Sequence, residues 1–154
     1  MSTNKKYIVF ALVIASTFII IINLINSIKK DSNSKYVSIN NHKFNLETVD
    51  DELKRSKGLS GRNYLPKDSG MIFIFPTKGI YYFWMKDMRF PLDFIWIDKE
   101  RIVDLTENVL PPVSNNINLP TFSSFQPIDK VMEVNAGSIK LWNIKKGDIA
   151  VFKQ

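Results

Sequence analysis

Residues 80–98, IYYFWMKDMRFPLDFIWID, hold two intensely apolar runs, 80–85 and 92–97, separated by a short loop that sets charge against aromatic surface. Each run is too short for a helix and rich in aromatic and β-branched residues, so both read as strands. In the second run Leu92, Phe94 and Trp96 point one way and Ile95 and Ile97 the other, and Asp93 is its only charge. A strand apolar on both faces is covered on both faces. The pair is therefore expected at the centre of a β core, with Asp93 at the mouth of the second strand beside the charged loop.

Residues 71–75 form another apolar strand, stopped by Pro76 and turned by 77–79 into the central run. Residues 36–39 and 43–46 alternate around Asn40-Asn41-His42, a hairpin signal. One short helix follows: Thr48 caps it, Asp50, Asp51 and Glu52 favour its first turn, Val49 and Leu53 share a face, and Gly58 ends it. On the other side, 102–109 is the next strand, 130–134 another, 138–142 a single helical turn and 149–152 the last strand. Between them, residues 110–127 carry Pro111, Pro112, Pro120 and Pro127 and show no periodicity. A loop of that length inside a compact domain is usually functional or mobile. Seven or eight short strands with very little helix predict a mainly-β fold over residues 36–154, a sandwich or barrel of jelly-roll-like kind with one short helix.

The chain has 154 residues, room for one domain and an attachment, and 45% hydrophobic residues suffice for a core. Its formal charge of +6 suggests nucleic acid until it is divided along the chain. Lys5, Lys6, Lys29 and Lys30 supply four of those charges with no acid among them, leaving +2 for residues 31–154. With that small charge and no basic-aromatic stripe, no nucleic-acid partner is expected. The lysines flank residues 7–28, which are 22 residues without a charge. As a helix they would span roughly 33 Å, matching a hydrocarbon core of about 30 Å. A cleaved signal peptide is the rival reading, but the run is long and Asn26-Ser27-Ile28 is a poor cleavage site. The expected plan is a cytoplasmic tail at 1–6, a transmembrane signal anchor at 7–28 in contact with the lipid bilayer, a polar tether at 29–35, and the domain. That places a single-pass protein in the cell membrane with its C-terminal domain outside the cytoplasm.

Without cysteine there is no disulfide, thiolate nucleophile or cysteine metal site. The single histidine, His42, falls in the predicted hairpin turn, so a Ser-His-Asp triad or a zinc site would have to be built on an exposed turn. Gly58-Leu59-Ser60-Gly61 has the wrong spacing for a nucleophile elbow, and no phosphate-binding glycine loop occurs. No cofactor or metal is expected. What remains is charge near strand ends. A buried Asp93 needs a partner, for which Arg62, Lys86 and Arg89 are the candidates, and a structural ion pair is the plain outcome. The functional alternative is a cleft in which Arg62, Trp84, Lys86 and Asp93 hold a small polar ligand or cell-envelope polymer by charge-assisted bonds and stacking. A third arrangement pairs Asp93 with Glu107 or Glu133 as the carboxylates of a glycosidase-like hydrolase. Trp84, Trp96 and Phe94 read first as core. Phe122 and Phe125, in the 110–127 loop, either pin that loop to the sheet, cover a pocket, or face a partner, for which a membrane protein is the candidate.

The motifs Arg55-x-x-Gly58-Leu59-x-x-Arg62, Gly70-Met71-x-Phe73-x-Phe75-Pro76, Phe83-Trp84-Met85-Lys86-Asp87, Pro91-Leu92-Asp93, Glu107-Asn108, Pro120-Thr121-Phe122-Ser123-Ser124 and Glu133-Val134-Asn135-Ala136-Gly137 follow one another at characteristic spacing. In this order they closely resemble domain of unknown function 192 (DUF192), from about residue 36 to the C-terminus. The resemblance implies a mainly-β, sandwich-like domain, usually behind a signal peptide or membrane anchor in prokaryotic proteins, and no assigned activity. Two departures stand out. Members often carry cysteines in the loop that is 112–121 here, and this chain has none. Where the family pattern runs FWMK-N-T, this chain has Asp87-Met88, which adds a negative charge beside Lys86.

Overall fold

A computed structural model describes residues 16–19, 35–113 and 119–153. The chain divides into two compact units, Met1–Ser34 and Lys35–Gln154. In the first, residues 16–19 are helical with Phe18 and Ile19 exposed. Among the described residues no helix is long and apolar enough to cross a membrane. The expected tail at 1–6, most of the anchor at 7–28 and the tether through residue 34 lie outside the described residues.

The second unit is mainly β. Its strands are β1 (Tyr36–Ile39), β2 (His42–Val49), β3 (Ser69–Gly79), β4 (Phe83–Trp84), β5 (Leu92–Asp98), β6 (Arg101–Val109), β7 (Thr121–Phe122), β8 (Ile128–Asn135) and β9 (Val151–Lys153). Two short helices accompany them, α1 (Glu52–Lys57) and α2 (Ser138–Leu141). Seven strands form one sheet in the order β6-β5-β8-β3-β2-β1-β9, and β4 and β7 form a small second sheet. Only β2 and β3 pair in parallel; the other neighbours are antiparallel. The large sheet curls into a half-barrel. Ile149, just before β9, bridges to Arg101 at the start of β6, and Ile102, Gly147 and Ala150 add backbone bonds there. The two edges are thus drawn together at one end.

Burial follows the period of two. Leu92, Phe94 and Trp96 of β5 enter one apolar cluster with Met71, Phe73 and Val131, while Ile95 and Ile97 enter a second with Ile72, Met132 and Val134. The two-faced reading of 92–97 therefore holds. The buried Trp96 indole keeps a partner by donating to Thr106 Oγ1 at 2.9 Å. Gly70 of β3 is a close-packing position. A Cβ there would stand 2.7 Å from Met132 Cε and 3.1 Å from the Glu133 carbonyl oxygen. The methionine can move but the carbonyl is held in the ladder, so Gly70→Ala is expected to cost about 1–3 kcal/mol, read from the denaturant midpoint.

Several local expectations change. Residues 80–85 do not pair with β5; only Phe83–Trp84 is a strand, and it pairs with Thr121–Phe122. The run buries one face only: Met85 is buried, whereas Ile80, Tyr82 and Trp84 are exposed. Trp84 is thus not core, although Trp96 and Phe94 are. The hairpin turn is the two residues Asn40 and Asn41, both with positive φ (50° and 65°), as a right-twisted two-residue connection requires. His42 consequently opens β2, stacked 3.5 Å from the Trp142 ring, and does not sit on an exposed turn. The helix cap is Asp51, which accepts from Lys54 N at 2.8 Å. Thr48 and Val49 stay in β2, where pairing with β3 claims them, and Leu53 is left exposed. Gly58 ends α1 as expected, with φ of 49°.

Candidate functional site

Asp93 is fully buried, and its partners are backbone amides: Asn108 N donates to Oδ1 at 2.7 Å and Ile139 N to Oδ2 at 3.0 Å. The carboxylate ties the left-handed bulge at Asn108 (φ 53°) to the start of α2. Neither the expected ion pair nor the four-residue cleft forms around it. Arg62 instead makes a two-pronged pair with Glu47 of β2, both bonds 2.7 Å long. That pairing holds the Glu47 carboxyl below its usual range and the guanidinium above its own. Arg89 donates to Asn63. Trp84 and Lys86 do meet, with the ammonium 5.6 Å from the indole ring centre.

Asp93 and Glu133 are separated too. Asp93 lies opposite Val134 and Phe94 opposite Glu133, so alternation sends Asp93 and Glu133 to opposite faces of the sheet. Glu107 is exposed near the end of β6. Another acid in β6, Asp104, is buried and organises the end of the long loop. It accepts from Leu105 N at 2.9 Å and Phe125 N at 3.2 Å, and pairs with Lys146. Burial alone would raise its carboxyl, but these partners outweigh burial and hold it low. In the same loop Phe122 lies on Phe94, ring centres 5.9 Å apart, whereas Phe125 is exposed.

Glu133 is the unusual group. It is only 5% exposed, it stands between Met71 and Phe94 on the aromatic face of the sheet, and no hydrogen-bond donor reaches its Oε2. Burial pushes its carboxyl up to about 8, opposed in part by the charge of Arg62. It lines a pocket of about 290 Å³ between the end of α1, β3 and the 81–84 run. Phe73, Phe75, Tyr81, Phe83 and Trp84 supply most of the ring surface there. The wall is pinned. Phe75 and Tyr81 stack at 3.6 Å, Phe83 meets Phe73 edge-on at 5.0 Å, and the Tyr81 hydroxyl donates to Thr77 O at 2.6 Å. Gly58 lets the helix end approach this wall, since a Cβ there would stand 3.3 Å from Phe73. Arg55 is fixed at the rim, donating to Asp50 O and Ile74 O and lying over Phe75.

The pocket therefore joins Trp84 and Glu133 from the sequence-derived candidates, with Arg62 acting on Glu133 through its charge. The wall residues Phe73, Phe75, Tyr81 and Phe83 are not marked as site residues by the sequence. The one signal in the sequence is Glu133 itself, an acid at the inward position of the apolar stretch 131–134. Among the described residues no group of three or more His, Asp or Glu side chains is placed to hold a metal ion.

A mainly-β domain with a curled sheet and an aromatic pocket over a buried acid is what residues 35–153 define. Residues 35–152 match the family model of DUF192, described as "Uncharacterized ACR", and the chain belongs to that family. Among solved structures, the domain is similar to a putative transcription regulator from Sinorhizobium meliloti 1021, at 28% identity and a TM-score of 0.70 over 77% of this chain and 94% of that one. It is also similar to a protein of unknown function from Novosphingobium aromaticivorans DSM 12444, at 26% identity and a TM-score of 0.68 over 75% and 83% of the two chains. No curated protein matches the chain.

Proposed function

We propose that this protein is a non-catalytic binding module for a small polar ligand, held at the outer face of the cell membrane by residues 7–28. The observation that carries the reading is the buried Glu133 carboxyl, unpartnered at Oε2, beneath a pinned aromatic wall. A perturbed acid in a concave aromatic pocket is the pattern of a ligand site, in which rings supply contact area and one polar group fixes orientation. The hydrolase alternative loses ground, because Asp93 spends both oxygens on backbone amides and faces away from Glu133. We read the curled sheet as a barrel, not a jelly-roll sandwich, on the Arg101–Ile149 pairing. The regulator name of the Sinorhizobium protein is not carried over, because residues 31–154 hold a net charge of only +2.

The test is a panel of sugars, cell-wall fragments, amines and small anions against the full-length chain in detergent, with Glu133→Gln and Trp84→Ala alongside. Trp84 is half exposed, so Trp84→Ala is expected to leave the fold within about 1 kcal/mol of wild type. Genuine ligands are expected to weaken by about tenfold or more in both variants. Hits that bind both variants unchanged would remove this site from consideration. Membrane placement has its own check: protease added outside intact cells should degrade the domain, and a protected domain would contradict the orientation.

A second reading has one observation behind it. Leu110, Val113 and Phe125 are exposed around the 110–127 loop. They fit a contact with a membrane-protein partner, which cross-linking in membranes with and without that loop would detect.

A further inference from the structure

We propose that the group this pocket receives is a compact organic ammonium, which displaces the proton of Glu133. The inference rests on the pocket being a ligand site and names the class of ligand that fits it.

A buried carboxyl without a partner needs a counter-charge or a proton. Among the described residues no hydrogen-bond donor reaches Oε2. Arg62, the one cation among the described residues whose charge is seen to act on Glu133, has both guanidinium prongs committed to Glu47. A partner cation must therefore come from outside. The walls suit one, since ring faces carry negative charge density and attract ammonium groups most strongly where water is excluded. Two of these rings already take a cation over a face, Arg55 over Phe75 and Lys86 over Trp84, each 5.6 Å from the ring centre. An anion is disfavoured over a carboxylate floor, and an uncharged ligand leaves the acid protonated.

The other charged and titratable groups lining the pocket are Glu52, Arg55 and Lys57 of α1 and the phenols of Tyr81 and Tyr82, while the Arg62–Glu47 pair lines a neighbouring pocket and acts on Glu133 only through the charge of Arg62. With Glu133 ionised, it and Glu52 balance Arg55 and Lys57, so the lining does not repel a cation. The exchange is simple: the carboxylic acid gives its proton to solvent, and the carboxylate that remains faces the ammonium. No covalent bond changes in the ligand.

The test uses choline and its uncharged isostere 3,3-dimethylbutan-1-ol, titrated calorimetrically into the full-length chain in maltoside micelles. Two buffers of different ionisation enthalpy count the protons released. Choline is expected to bind about tenfold or more tightly than the isostere. Its affinity should rise about tenfold per pH unit up to the carboxyl's own titration, with close to one proton released per molecule bound at neutral pH. Glu133→Gln should abolish the proton release and reduce choline to the level of the isostere. Equal binding of the two probes, no proton release from wild type, or no saturable binding of choline overturns the proposal. Sugars that bind this pocket while choline does not would overturn the ammonium inference and leave the site standing. A panel with no ligand for the pocket removes both.

Discussion

Asp93→Ala is expected to remove about 3–5 kcal/mol of folding stability, seen as a lower denaturant midpoint with little change in slope. The carboxylate is fully buried and accepts from the amides of Asn108 and Ile139. Alanine takes this acceptor from the buried Ile139 N–H, at about 1–3 kcal/mol, and from the part-buried Asn108 N–H at less, and opens a void besides. The Asn108 bulge, with its positive φ, loses the contact that holds it. Asp93→Asn keeps the shape but turns an NH2 toward one of the two donors, so it should fall between wild type and alanine. A loss under about 0.5 kcal/mol for Asp93→Ala would show that both amides find other acceptors.

Raising the pH should destabilise the protein through Glu133, by as much as ~4–5 kcal/mol across the interval set by its folded and unfolded values. Below its ordinary value of 4.5, both states hold the proton and the group is neutral in its effect. Between 4.5 and about 8 the unfolded chain gives up the proton while the folded one keeps it, so folding stability falls as pH rises. Above about 8 both states ionise and the slope from this group ends. Glu133→Gln should flatten that descent, and at alkaline pH it should be the more stable protein. Glu47 and Asp104, whose carboxyls are held low, act in the opposite sense in acid. They stabilise above their unfolded values and lose that contribution as pH falls through the folded ones. Denaturation series on wild type and Glu133→Gln separate these effects, and parallel curves through neutral pH would refute the assignment to Glu133.

Much of the fold is legible because alternation is a local signal. The two faces of β5 can be read from residues 92–97, and the structure sorts those side chains into two clusters as that reading requires. The mainly-β class and the placement of most strands follow in the same way. What the sequence conceals is pairing. Residues 80–85 resemble 92–97 in composition, yet they form a two-residue strand against Thr121–Phe122 on the aromatic face of the large sheet. Nothing local distinguishes a strand in the sheet from one lying over it. The same limit governed the site. The sequence marks Asp93 as buried and in need of partners, and points to side-chain cations where backbone amides serve. Those donors depend on a bulge and a helix start that no motif announces. Glu133 was visible as an acid in an apolar strand, whereas its isolation depends on Arg62 choosing Glu47, a contact between β2 and a loop 15 residues away in sequence.

The state of the Glu133 carboxyl decides what this pocket can hold, and a carbon-13 NMR titration of that side chain in the whole chain reads it directly. The prediction is a transition raised to about 8 in the free protein, moving down when choline is added. A transition at the ordinary value of 4.5, unmoved by any ligand, would contradict it and leave the pocket an ordinary crease in the aromatic core.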